Sequence, residues 1–205
     1  MTIRKSHVGM KATNTTPNSR PSLLCQADAS QLVAIDIQTR LSAAMPNKVL
    51  TRLKRNIGIL TQAADLLSIP VLVTEQYPKG LGPVEPDIAK HLPKGTSRFE
   101  KTRFSCYGVE GFKQSVVESQ RNQAILTGME AHVCVLQTAM ELQTSYIQVF
   151  VAADAVCSRK REDYENALAR MQQAGVIITN TESVVFEWLR DAHHEHFKAI
   201  STLVR

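Results

Sequence analysis

The run Gln123-Ala-Ile-Leu-Thr-Gly128, followed six positions later by Cys134 and then by Val135-Leu-Gln-Thr-Ala-Met140, decides the fold. The first run is continuously apolar and predicts a buried strand, and the second predicts a helix. A thiol therefore falls just past a strand end and close to a helix N-terminus. Unpaired backbone N–H groups and the helix dipole favour a thiolate there and can cradle an oxyanion. That position suits a nucleophile. A second reading of Cys134 stands beside it, because a free cysteine is also a small hydrophobe that fills core gaps.

Outward from this unit, strand-like and helix-like segments alternate. Gln31-Leu-Val-Ala-Ile-Asp-Ile37 predicts a strand. Asn47 is the expected cap of a long helix whose apolar positions Leu50, Leu53, Ile57, Leu60, Ala64 and Leu67 recur at helical spacing. Pro70 ends that helix, and Val71-Leu-Val-Thr-Glu75 predicts a second buried strand. Residues 77–107 are rich in Gly and Pro and predict loop, with one short helix near 87–91. A helix over 109–119 precedes the strand at 123–127. Beyond Cys134 come a strand at 147–152, a helix at 161–174 stopped by Gly175, a strand at 176–178 and a helix at 182–191.

Apolar strands separated by helices predict an α/β fold, a three-layer Rossmann-like sandwich around a mainly parallel sheet. Such sheets bind ligands outside the carboxyl ends of their strands. That rule gathers Asp36, Gln38, residues 75–77, residues 128–134 and Asp154 on one rim. No G-x-G-x-x-G follows the first strand and no Walker A sequence is present, which argues against dinucleotide and P-loop chemistry.

A chain of 205 residues is most simply one domain. No apolar run approaches the roughly 20 residues of a membrane span, so no membrane partner is expected. The net charge of +5 comes from dispersed basic residues, and the densest cluster, Ser158-Arg-Lys-Arg161, runs straight into Glu162 and Asp163. No nucleic-acid partner is expected from such a pattern. Cys25, Cys106, Cys134 and Cys157 have neither CxxC nor zinc-knuckle spacing, which points to a reducing compartment and a cytoplasmic location. Residues 1–27 contain no acid but hold Arg4, Lys5, Lys11 and Arg20. That bias makes a mitochondrial targeting segment the alternative, but no amphipathic helix accompanies it. The expected organisation is a flexible tail over 1–28 and a domain over 29–205.

Asp36 also has two readings. An acid inside Val33-Ala-Ile-Asp-Ile37 is costly to bury without a partner. It either bonds nearby backbone at the strand end or serves as a general base with its affinity for protons raised by apolar surroundings. Spacing alone does not single out Lys101 from the other basic residues. His132 lies too near Cys134 in sequence for an evident triad base and ranks below Asp36. His193, His194 and His196 point in different directions on a helix and lack accompanying ligands, so no metal is expected there.

From about Leu32 onward the chain resembles the isochorismatase-like cysteine hydrolases, and most closely their isochorismatase domain-containing branch. The stretches that carry the resemblance are Ala34-Ile-Asp-Ile-Gln38, Val73-Thr-Glu-Gln-Tyr-Pro-Lys-Gly-Leu-Gly82, Glu100-Lys-Thr-Arg-Phe-Ser105, Thr127-Gly-Met-Glu-Ala-His-Val-Cys-Val-Leu-Gln-Thr138 and Ala152-Ala-Asp-Ala-Val-Cys-Ser-Arg159. The resemblance implies a catalytic triad of Asp36, Lys101 and Cys134, a cis peptide between Met129 and Glu130, and an oxyanion hole from the backbone N–H groups of Glu130 and Cys134. It implies attack on a small amide or related C–N substrate through a thioester, and a homo-oligomer. The alternative is an interaction protein that keeps this fold with little turnover. Gln38, Gln76, Tyr77 and Phe104 are expected pocket residues because they neighbour the triad. Nicotinamidases resemble this fold but place an Asp and several His as metal ligands between the second strand and the lysine. Here His91 is the only histidine in residues 75–100, so neither metal nor other cofactor is expected.

Overall fold

The computed structural model of the protein describes residues 22–205. Six strands form one wholly parallel sheet: β1 (Ser30–Ile35), β2 (Val71–Gln76), β3 (Ser97–Lys101), β4 (Gln123–Met129), β5 (Gln148–Cys157) and β6 (Ile177–Thr179), in the order β3-β2-β1-β4-β5-β6. The chain steps outward from β1 to β3, then returns to lay β4 on the other side of β1. The switch point between β1 and β4 is where an open α/β sheet leaves a crevice at its carboxyl edge.

The helices in chain order are α1 (Thr39–Ser42), α2 (Asn47–Leu66), α3 (Pro78–Leu81), α4 (Pro86–Ala89), α5 (Glu110–Glu118), α6 (Leu136–Thr144), α7 (Arg161–Gln173), α8 (Thr181–Leu189) and α9 (Phe197–Leu203). They bury two apolar clusters. One packs Leu53, Ile57 and Leu60 of α2 and Val184, Val185 and Trp188 of α8 against Leu32, Ala34 and Val73. The other packs Phe112 of α5, Leu136 and Ala139 of α6 and Met171 of α7 against Val33, Ile35 and Leu126. The strands alternate between the two clusters, as a sheet covered on both faces requires.

Several boundaries differ from the sequence reading for identifiable reasons. Asn47 lies inside the first turn of α2 and makes no cap; Pro46 occupies the capping position with φ −60°, an angle its ring supplies. In the segment read as loop over 77–107, α4 answers the short helix expected near 87–91, while α3 and β3 are additional elements. Strand β3 went unrecognised because Ser97, Arg98 and Glu100 are exposed, the usual dress of an edge strand. Strand β5 continues past its apolar run to Cys157, where a register shift against β4 lets Cys157 pair with Met129.

Of the tail expected over 1–28, residues 1–21 lie outside the described residues. Residues 22–28 are held on the body: Cys25 N–H donates to Glu187 at 2.7 Å, Gln26 N–H to Gln123 at 2.7 Å, and Gln148 Nε2 to the Ser22 carbonyl at 2.6 Å. No helix among the described residues is long and apolar enough to cross a membrane.

Candidate active site

Three side chains from separate parts of the chain meet at the switch point. Asp36 leaves β1 through a left-handed turn at φ 51°, a conformation an aspartate tolerates better than a branched residue would. Gly128, near the end of neighbouring β4, has φ 108°, and a Cβ there would collide with the Ile35 carbonyl. Only glycine lets β4 approach β1 this closely beside Asp36. The Met129–Glu130 peptide bond is cis. Cys134 follows in a wide turn, Ala131–Val135, which leads into α6. Lys101 ends β3, two strands from Asp36, and its long side chain spans β2.

Lys101 Nζ lies 2.6 Å from Asp36 Oδ2 and 3.5 Å from Cys134 Sγ. Gln76 Oε1 accepts from the same ammonium at 2.7 Å, as do the carbonyls of Phe104 at 3.1 Å and Arg103 at 3.3 Å. Asp36 is wholly buried, and Lys101 and Cys134 nearly so. Burial is the strongest single influence and works against the Lys101 charge, but its neighbours together, Asp36 foremost, outweigh burial and hold the ammonium above its ordinary range. For Cys134, burial and then the Asp36 charge push the thiol far up, with Lys101 only partly opposing them. The expectation that the helix end would favour a resting thiolate is thereby corrected. The site is the Lys101–Asp36 ion pair beside a thiol that burial holds toward its protonated form.

The remaining expected residues divide. Gln76 touches Lys101 directly. Tyr77 and Phe104 are exposed, and Tyr77 lines a cavity of about 350 Å³ with Pro78, Lys79, Glu100, Lys101 and Thr102. Gln38 is buried, donating to the Gln76 and Gly82 carbonyls and accepting from Gln76 N–H, so it ties the end of β2 to the following loop. Asp154 is drawn away from the rim, since its Oδ1 accepts from Thr181 N–H and Oγ1 at the start of α8. His132 contacts Ser158 at 2.9 Å and faces Asp163, with no hydrogen bond to Cys134. The terminal histidines are also separate, His193 pairing with Asp191 and His194 accepting from His196 N–H. Among the described residues no three His, Cys, Asp or Glu side chains are grouped to hold a metal.

Sequence reasoning missed two contacts. The Thr74 hydroxyl donates to Asp36 Oδ1 at 2.8 Å, and Arg159 Nε donates to the Glu130 carboxylate at 2.8 Å. A polar residue amid the apolar Val71-Leu-Val run was the only signal for the first.

The isochorismatase domain is matched over residues 30–183. The chain is 39% identical over 156 residues to isochorismatase domain-containing protein 2 of Danio rerio, covering 75% of this chain and 77% of that one. It is 35% identical over 183 residues to isochorismatase family protein 1B of Dictyostelium discoideum, 87% of each. A solved structure described as the MAR1 ribonuclease of Caenorhabditis elegans superposes with a TM-score of 0.84 at 35% identity, covering 88% of this chain and 92% of that chain. The chain belongs to the isochorismatase family and has its hydrolase fold.

Proposed function

We propose that the protein is a metal-independent cysteine hydrolase of a small amide or related C–N substrate, with Asp36, Lys101 and Cys134 as its triad. The observation that carries this reading is the buried meeting of carboxylate, ammonium and thiol at the switch point. Asp36 takes the Cys134 proton once substrate is bound, and Lys101 balances the charge that moves to sulfur. The thiolate adds to the carbonyl carbon. The N–H groups of Glu130 and Cys134 hold the resulting oxyanion. Protonated Asp36 then passes its proton to the departing nitrogen, leaving a thioester. Water, deprotonated by Asp36, cleaves that thioester and restores the thiol. Assembly as a homo-oligomer is part of the same proposal, and light scattering after size exclusion measures it.

The test is a panel of small amides with the purified protein and Cys134→Ala, together with mass spectrometry for an acyl group on Cys134. Turnover and a mass adduct that both vanish in Cys134→Ala support the reading. A flat response from both proteins favours an interaction protein that keeps the fold. The name of the Caenorhabditis elegans neighbour makes RNA a necessary member of the panel. Cys134-dependent RNA cleavage without amide turnover would replace the amide reading.

A further inference from the structure

Asp36 has two carboxylate oxygens and two very different claims on them. Lys101 occupies Oδ2. The other oxygen, Oδ1, accepts a hydrogen bond from the hydroxyl of Thr74, a residue of β2 that is wholly buried. A threonine hydroxyl rotates, and its single proton can go to any acceptor within reach. Here its direction is set from behind: the Cys106 thiol donates to Thr74 Oγ1 at 3.5 Å. Cys106 is itself fully buried, with its N–H anchored on Thr138 Oγ1 at 2.9 Å. Burial, and then the Asp36 charge, lift the Cys106 thiol to about 11, so it keeps its proton at neutral pH and stays a donor.

We infer that Thr74 is a positioning residue for Asp36, held by Cys106 in the one rotamer that donates to Oδ1, so that the carboxylate is locked with its free lone pair toward Cys134. This rests on the reading of Asp36 as general base and adds to it a device outside the triad. The consequence is twofold. A fixed carboxylate meets the thiol proton without a rotational search. A permanent donor on Oδ1 also stabilises the ionised form, keeping Asp36 available as a base at lower pH. The titratable groups that Asp36 acts on are Lys101, Cys134 and Cys106, from three different segments. Lys101 and Cys106 stay protonated through the neutral range, so the acid limb of Cys134 reactivity reports the coupled Asp36–Cys134 pair.

The measurement is the rate of Cys134 alkylation by iodoacetamide across pH, located by peptide mass, because it requires no substrate. Thr74→Val removes the hydroxyl and keeps the shape. It is expected to move the acid limb to higher pH by about one unit and, where amide turnover is found, to lower kcat/KM roughly 10- to 100-fold, the size of a hydrogen bond to a charged group. Thr74→Ser is expected to restore both; a strand residue with only a packing role would change the melting temperature and leave the limb in place. Thr74→Ala serves if the valine variant does not fold. Cys106→Ala is expected to move the limb the same way by less. A Thr74→Val profile that overlays the native one, or a folded Thr74→Ser that fails to restore it, overturns the inference. An unshifted Cys106→Ala profile beside a shifted Thr74→Val one overturns the Cys106 step. If Asp36→Asn leaves the alkylation profile unchanged, the general-base reading itself is what has failed.

Discussion

Asp36, one residue past β1, and Asp154, within β5, each follow an apolar run of the same sheet, and their surroundings differ. Asp36 lies just past β1 at the switch point between β1 and β4, and is met by Lys101 reaching over from β3. Asp154 lies in β5, one strand past the switch point, with the amide and hydroxyl of Thr181 as its partners. Its backbone carbonyl takes Asn56 Nδ2 at 2.9 Å, which binds α2 to the same place. A carboxylate paired with a buried ammonium near a thiol has the surroundings the proposed chemistry needs, while one whose oxygen is filled by a helix start holds elements together. Chain topology makes the difference, since residue type and local sequence are alike.

Substitutions at the two acids should separate these roles. The largest effect is expected from Asp36→Asn, which removes the base and leaves a buried ammonium without its counter-charge. Amide turnover should fall about a thousandfold or more, and unfolding should become easier by roughly 3–5 kcal/mol. Both are read from steady-state kinetics and urea titration. Retained turnover would break the comparison at its first term. Lys101→Met approaches the same pair from the other side and should cost turnover roughly 100-fold or more, again with lowered stability.

A third expectation concerns pH. Burial raises the Cys106 thiol from 9.0 to about 11 and the Cys157 thiol from 9.0 to about 12. A group raised in the folded state contributes stability that is fully present below its unfolded value and is lost as pH climbs through the folded one. The melting temperature should therefore be level near neutrality and fall from about pH 9 to 12. Cys157→Ala, on the strand that carries Asp154, should flatten that fall while leaving amide turnover in place. A melting temperature that holds level to pH 12 would contradict the buried placement of these thiols.

The smallest effect is expected at Asp154→Ala. Loss of its two bonds to Thr181 should cost about 1–2 kcal/mol of stability, with kcat/KM inside about twofold of the native value. A large loss of turnover there would bring Asp154 back to the reacting centre and erase the contrast.

Much of this was legible in the residues. Continuous apolar runs such as Val71-Leu-Val and Ala124-Ile-Leu marked strands buried on both faces, because no polar alternation interrupts them. Edge strand β3 was illegible for the converse reason, its charged residues facing water. At the site, the resemblance named Asp36, Lys101 and Cys134, and the fold brings these three together. Gln38 was expected at the pocket from sequence proximity, which does not say where an amide points; here its amide bonds three backbone partners.

By itself the sequence determined the parallel α/β sandwich and the strand-then-helix setting of Cys134, since hydrophobic period and Gly–Pro punctuation are local properties. The tertiary structure alone decided which acid meets the Lys101 ammonium and which buttons down a helix. It also decided that burial tightens the thiol's hold on its proton, and that Thr74 and Cys106 stand behind Asp36. Those outcomes depend on strand order and on the removal of water, and neither exists until the strands are assembled side by side.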